Sequence, residues 1–208
     1  MGANLIEQKI RSSDRRRIWR GPLVAVAVIA LSSCAALVPQ TPSAIFDLSA
    51  PGKIAVSGQG RLQILVAEPT TIQALDNNRI AARPSPSEYA YLPGAVWSDS
   101  LPALLQKRLV QTFQNSGRVR GAGVPGQGLL IDYQIVTDIR AFELTGEGAA
   151  AEFGVKLMDD SNGRVLRSRV FRTVVPVAST ANADVVVGLD RAMDNAFVEI
   201  TKWALAGL

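Results

Sequence analysis

The chain has 208 residues, with 22 Lys+Arg against 18 Asp+Glu for a formal net charge of +4, one cysteine and no histidine. The lack of histidine excludes Ser-His-Asp and Cys-His catalysis, His-ligated zinc and the usual near-neutral proton shuttle. A lone cysteine leaves no internal disulfide to form, so the core must hold by packing, for which 48% hydrophobic residues are enough.

The chain opens on a basic stretch, Lys9, Arg11, Arg15, Arg16, Arg17 and Arg20, followed by an uncharged, mostly apolar run from Gly21 to Ser33. As a helix that run covers about 20 Å at 1.5 Å per residue, against roughly 30 Å for a hydrocarbon core. The length suits the apolar region of an export signal better than a membrane span. Arg15 to Arg20 loosely resembles a twin-arginine signal, although a plain secretory signal with extra positive charge explains the same residues more simply. Leu31-Ser32-Ser33-Cys34 then has the form of a lipobox, small residues closing on a cysteine. On this reading Cys34 Sγ receives diacylglycerol, the peptide before it is cut away, and the new N-terminus takes an acyl chain such as palmitate. A short transmembrane anchor, or an ordinary cleaved signal with an incidental cysteine, are the other readings.

The expected layout is therefore a cleaved signal peptide at 1–33, a lipidated N-terminus and flexible tether at 34–45, and a periplasmic domain at 46–208. Eleven tether residues after the cysteine reach at most about 39 Å, so the domain stands off the bilayer. Ala35 follows Cys34 where an Asp commonly retains lipoproteins at the inner membrane, which makes the outer membrane, facing the periplasm, the expected destination. Residues 1–33 hold six basic and two acidic residues, leaving 16 of each sign and no net charge in the remaining 175. A neutral domain has no general electrostatic footprint for phosphates, so nucleic acid is not an expected partner.

Phe46-Asp47-Leu48 reads as a short strand, and Ala50 to Gly60 as a flexible connection. Arg61 to Val66 alternates, with Leu62, Ile64 and Val66 on one face, and stops at Glu68-Pro69. Arg79 to Arg83, stopped by Pro84, and Glu88 to Leu92, stopped by Pro93-Gly94, are two further short strands. The spacing of Leu101, Leu104, Leu105, Leu109 and Phe113 predicts a helix from about Ser98 to Ser116, with Asn115-Ser116-Gly117 as its C-cap. Gly121 to Gly128 reads as a loop; it lacks the Lys-Ser/Thr ending of a phosphate loop. Leu129 to Arg140 alternates strongly, Ala151 to Leu157 continues the pattern, and Val165 to Val175 returns after an Asp159-Asp160-Ser161-Asn162-Gly163 turn. In the last of these, the adjacent Val170 and Phe171 point to a bulge or a two-sided strand. Leu189, Met193, Ala196, Phe197, Ile200 and Trp203 then predict a helix from about Asp184 to Leu205.

These elements predict a single two-layer α+β domain. An antiparallel sheet, with a long three-strand meander and short N-terminal strands, is packed by two amphipathic helices. Few residues stand out as sites. Trp97, just before the first helix, is either an interface anchor or a core plug beneath that helix, and the plug fits better. Arg167 and Arg169, with Arg164 and Arg172 nearby, could meet an acidic partner or lipid phosphates. A solvated strand face balanced by Glu147, Glu152 and Asp159 is the simpler reading. Asp159-Asp160 lacks the spaced oxygen ligands of a calcium site and reads as a turn. Asp132 and Asp138 stand about 20 Å apart along one strand, too far for a glycosidase pair.

The ordered set resembles the auxiliary lipoproteins of ABC-type transport systems, the paraquat-inducible protein C type partners of MCE-domain lipid transporters. Its elements are the lipobox at Leu31 to Cys34, Phe46-Asp47-Leu48, and the Leu62 to Val66 strand closing on Glu68-Pro69. Asn78-Arg79-Ile80-Ala81-Ala82-Arg83, Tyr91 and Ala95-Val96-Trp97-Ser98-Asp99-Ser100-Leu101 follow. Arg167-Ser168-Arg169-Val170-Phe171 and a closing helix ending in Lys202-Trp203 complete it. The resemblance implies a non-catalytic, lipid-anchored subunit in the envelope of a diderm bacterium. It would work beside an ABC permease, its ATPase and an MCE-domain protein, dock their conduit at the outer membrane, and possess no cofactor beyond the lipid on Cys34. A homo-oligomer is a further implication. The alternative is an assembly or pilot lipoprotein for another outer-membrane complex.

Cys34→Ala is expected to abolish incorporation of labelled palmitate and to release the protein from membranes. Continued labelling of that variant would overturn the lipobox reading.

Overall fold

A computed structural model describes residues 42, 44–56, 62–206 and 208. The lipobox at Leu31 to Cys34 and most of the expected tether lie outside the described residues. The strands are β1 (Ala44–Phe46), β2 (Leu62–Val66), β3 (Thr70–Thr71), β4 (Arg79–Ser85), β5 (Glu88–Trp97), β6 (Val119–Gly123), β7 (Tyr133–Thr145), β8 (Gly148–Asp159) and β9 (Val165–Val175). The helices are α1 (Leu101–Asn115), between β5 and β6, and α2 (Asn182–Leu205), after β9. Ala44 and Ile45, at the end of the segment read as tether, already pair with Ala95 and Val96 of β5.

The sheet is organised by β7. Along one edge it pairs antiparallel with β8, from Tyr133 opposite Asp159 to Thr145 opposite Gly148, and β8 pairs antiparallel with β9. This is the expected meander. Along its other edge β7 receives three short strands in tandem, all parallel: β2 at Tyr133 to Ile135, β3 at Asp138 and Ile139, and β4 at Glu143 and Leu144. β6 extends the sheet beyond β2, whereas β5 and then β1 extend it beyond β4. The α+β class and two layers hold, but the sheet is mixed and not purely antiparallel. The cause is the direction of travel: from β2 to β4 the chain advances along one edge of β7 without reversing.

Several boundaries also move. β7 starts at Tyr133, so Leu129 and Leu130 lie before it, 38% and 85% exposed. It then runs on to Thr145 through a bulge between Ile139 and Ala141. The extra residue, Arg140, shifts the alternation, so that Phe142 follows Ile135 and Ile139 into the core. β4 and β5 continue past Pro84 and Pro93, because register irregularities in their pairing absorb the missing proline donors. Gly121 to Gly123, expected in a loop, belong to β6, which β2 recruits as a parallel neighbour. The irregularity in β9 falls at Leu166, between the pairs Arg167–Leu157 and Val165–Met158, and not at Val170-Phe171. α1 begins at Leu101 and ends as expected, with Ser116 as C-cap and Gly117 at φ 62°.

Both helices lie on one face of the sheet: α1 packs on β2, β6 and α2, and α2 packs on β7, β8 and β9. Between the layers runs a chain of rings, Trp97–Phe142–Phe153–Phe197, with centroids 6.0, 6.4 and 5.4 Å apart. α2 comes close to β8 because small residues meet there. A Cβ on Gly188 would fall 2.9 Å from Ala149 Cβ and 2.6 Å from Val177 Cγ1. Truncating the middle of the ring chain, Phe153→Ala, is expected to cost about 3–5 kcal/mol in a urea unfolding series. A loss under about 1 kcal/mol would mean the rings do not carry the core.

Candidate interaction surfaces

Trp97 ends β5 opposite Phe46 and is 1% exposed, with its ring against Phe142. Its proposed role as a partner anchor is corrected by this burial: the ring is a core plug, packed against Phe142 of β7. Arg167 and Arg169 share one face of β9 with Phe171, as their alternation requires, but their situations differ. Arg167 is half-buried; its guanidinium lies 5.4 Å from the Trp203 ring centroid and donates a 3.0 Å hydrogen bond to Ala204 O. It therefore ties β9 to the last turn of α2, where carbonyls lack helical donors and favour a cation. Arg169 is exposed and lies beside the ring of Phe171, 4.9 Å from its centroid.

The sheet face away from the helices carries alternating charges. Arg140 reaches Asp138 at 3.4 Å and Glu152 at 3.9 Å; Arg172 reaches Glu152 at 3.9 Å and Glu147 at 3.7 Å. Gly154 makes room for this, since a Cβ there would sit 3.0 Å from Arg140 Nε. Exposed pairs of this kind contribute little to stability, but they leave both arginines of this face matched by carboxylates. At the β4 end of β7, Glu143 is 2% exposed and its Oε1 accepts from Arg83 at 3.3 Å. Its Oε2 has no partner among the described residues, and burial, only partly offset by Arg83, holds its pKa above the ordinary value. Asp132 and Asp138 are separately engaged, Asp132 Oδ2 accepting the Gln63 N–H at 2.7 Å. Asp159 accepts from Ser161 N–H and Oγ within its turn, which Gly163 closes at φ 71°. The turn reading of Asp159-Asp160 holds.

The segment after β1 is clamped in a way that local sequence patterns did not announce. Asp47 receives Arg108 Nη2 at 2.7 Å and Ser98 Oγ at 3.1 Å. Burial pushes its pKa up, but those donors and the Leu48 N–H outweigh it and hold the carboxyl below its ordinary value. Ser49 donates both its N–H and its hydroxyl to Asp190 at 2.7 Å, and Asn115 donates to Pro51 O at 2.7 Å. The chain leaving β1 is thus bound to both helices. One turn beyond Asp190 on α2, Asp194 is half-buried with Oδ1 unpartnered, and burial plus the Asp190 charge raise its pKa to about 6.

Among the described residues no helix is long and apolar enough to cross a membrane, and no three His, Cys, Asp or Glu gather as metal ligands. Comparison with known proteins places these surfaces in context. The model of a family described as ABC-type transport auxiliary lipoprotein component matches residues 46–201. An uncharacterised protein of Bradyrhizobium diazoefficiens is 26% identical over 163 residues, 77% of this chain and 44% of that protein. The chain thus spans under half the length of that relative. A crystal structure of a Xanthomonas campestris protein superposes with a TM-score of 0.72 at 28% identity, covering 78% of this chain and 94% of that one. A second crystal structure, of an uncharacterised protein, shares the fold at TM-score 0.60 and 15% identity, over 76% of this chain and 99% of that one.

Asp194 sets a pH dependence. Its native pKa of about 6 exceeds the ordinary 3.8, so the folded state holds a proton the unfolded state has lost, and stability falls as pH rises through that window. Asp194→Asn is expected to be more stable than the parent at pH 7.5 and indistinguishable from it near pH 3.5. Equal urea midpoints at pH 7.5 would contradict this.

Proposed function

The chain belongs to the family of ABC-type transport auxiliary lipoprotein components, and from that premise we propose that it is the lipid-anchored adaptor of an ABC/MCE-type intermembrane lipid transport system. As a member of that family it is an auxiliary component of an ABC-type transport system and a protein of the cell envelope. In the proposal its partners are an ABC permease, the matching ATPase and an MCE-domain protein. Its task is to hold their conduit at the outer membrane, without catalysing a reaction itself.

The observation that carries the reading is the conjunction of the family match with what precedes it. The match covers the fold from β1 into the last turns of α2, and a lipobox ending at Cys34 stands a dozen residues upstream. A lipid on Cys34 supplies the membrane attachment, and Ala35 in place of Asp favours the outer membrane. The separate engagement of Asp132 and Asp138 and the absence of histidine from the sequence support an adaptor over an enzyme. The contacts of Asp47 and Ser49, just after β1, suit a role in which pull on the tether must not unravel the chain beyond that strand.

The test is native extraction in mild detergent followed by affinity isolation of the full chain. An MCE-domain protein with its permease and ATPase is expected to copurify, and the protein to fractionate with outer membranes. Isolation with an unrelated outer-membrane complex would instead establish the pilot reading and overturn this one.

A further inference from the structure

β9 ends the meander, and among the described residues it pairs with β8 alone. Its outer row of N–H and C=O groups is open along Val165–Val175, and Val165, Leu166 and Val170 are 51%, 43% and 45% exposed. A long, partly apolar edge of this kind templates a further strand unless its side chains forbid it. Here the side chains select by charge. Residues 164–175 contain four arginines, Arg164, Arg167, Arg169 and Arg172, and no carboxylate. Arg167 is held by Trp203 and Ala204, and Arg172 by Glu147 and Glu152. Arg169 makes no ion pair within 4 Å among the described residues, and Arg164 has none either, although its charge is felt by Asp159 across the turn.

We propose that the outer edge of β9 accepts an extended acidic segment of a partner protein as an added strand. Cross-strand neighbours stand about 5 Å apart at Cβ, so the register of β9 dictates the sequence of its guest. Opposite Arg167 and Arg169, on the helix side, the guest presents carboxylates; opposite Ser168 and Val170, on the open face, it presents small or apolar residues. Main-chain hydrogen bonds supply affinity, and the exposed Arg169, with Arg164 at the strand's start, supplies selection and speed of encounter.

Two other occupants fit less well. A second copy paired two-fold through the same edge would bring together two segments with four arginines each and no carboxylate, which is repulsive. An anionic bilayer approaching the β8–β9 hairpin would meet Asp159 and Asp160 next to Arg164. The arginines therefore reject neutral self-pairing while admitting an acidic strand. The proposal stands apart from the transport reading, because it names the chemistry of the strand and not the system that provides it.

The test uses the full chain in detergent micelles and fluorescent strand-length peptides alternating Val with Glu, Gln or Lys. The Glu peptide is expected to bind, to weaken with salt, and to slow amide hydrogen exchange along β9. Replacing Glu by Gln, or Arg169 by Glu in the protein, should weaken binding roughly tenfold, and Arg169→Lys should restore most of it. An Arg164→Glu variant, far from the core, gives a second reading if Arg169→Glu lowers the melting temperature. Equal binding of the Glu and Gln peptides, no binding, or binding without protection of β9 amides would each overturn the proposal. So would sedimentation showing β9 occupied by a second copy, or anionic vesicles protecting β9 in place of the peptide.

Discussion

Pairing along both edges of β7 is the constraint on which the domain depends. A central strand cannot leave its backbone donors and acceptors unpaired once a helical layer covers it, so each edge must be filled along its length. β8 does this alone on one side, joined by a tight turn. No single strand does it on the other, where β2, β3 and β4 divide the edge among them. None of those three is long enough to persist by itself, and β3 is only two residues. Their order in space follows their order in sequence, and the parallel direction of these three strands against β7 follows from that.

The helical layer depends in turn on what β7 and β8 present. The Ile139–Ala141 bulge brings Phe142 inward beside Phe153, and the run Gly148 to Ala151 keeps the surface low where Gly188 of α2 arrives. The rings of Trp97 and Phe197 close the chain at its two ends, one delivered by β5 and one by α2. Charges are confined to the other face and to the edges, where they are mostly balanced; β9 is the exception.

β1 and β9 lie at opposite ends of the sheet path that runs through β5, β4, β7 and β8. The Asp47–Arg108 and Ser49–Asp190 contacts bind the chain just after β1 to both helices, and the open edge of β9 lies at the far end of that path.

What the sequence determined by itself was everything with a short period. Alternation identified β8 and β9 and most of β7; three- and four-residue spacing identified α1 and α2; Asn162-Gly163 identified the turn. Such signals are local, since burial on one face imposes a repeat on neighbouring residues. Only the tertiary structure decided what joins residues far apart in the chain. Whether β2 lies parallel or antiparallel to β7, whether Gly121 to Gly123 form a strand, and where Arg140 breaks phase depend on which edge is vacant when distant segments meet. Asp190 looks like any solvated helix carboxylate until the fold brings Ser49 to it across 141 positions. Arg167 likewise becomes a brace for α2, and Arg169 an open charge, only because α2 ends beneath one and not the other.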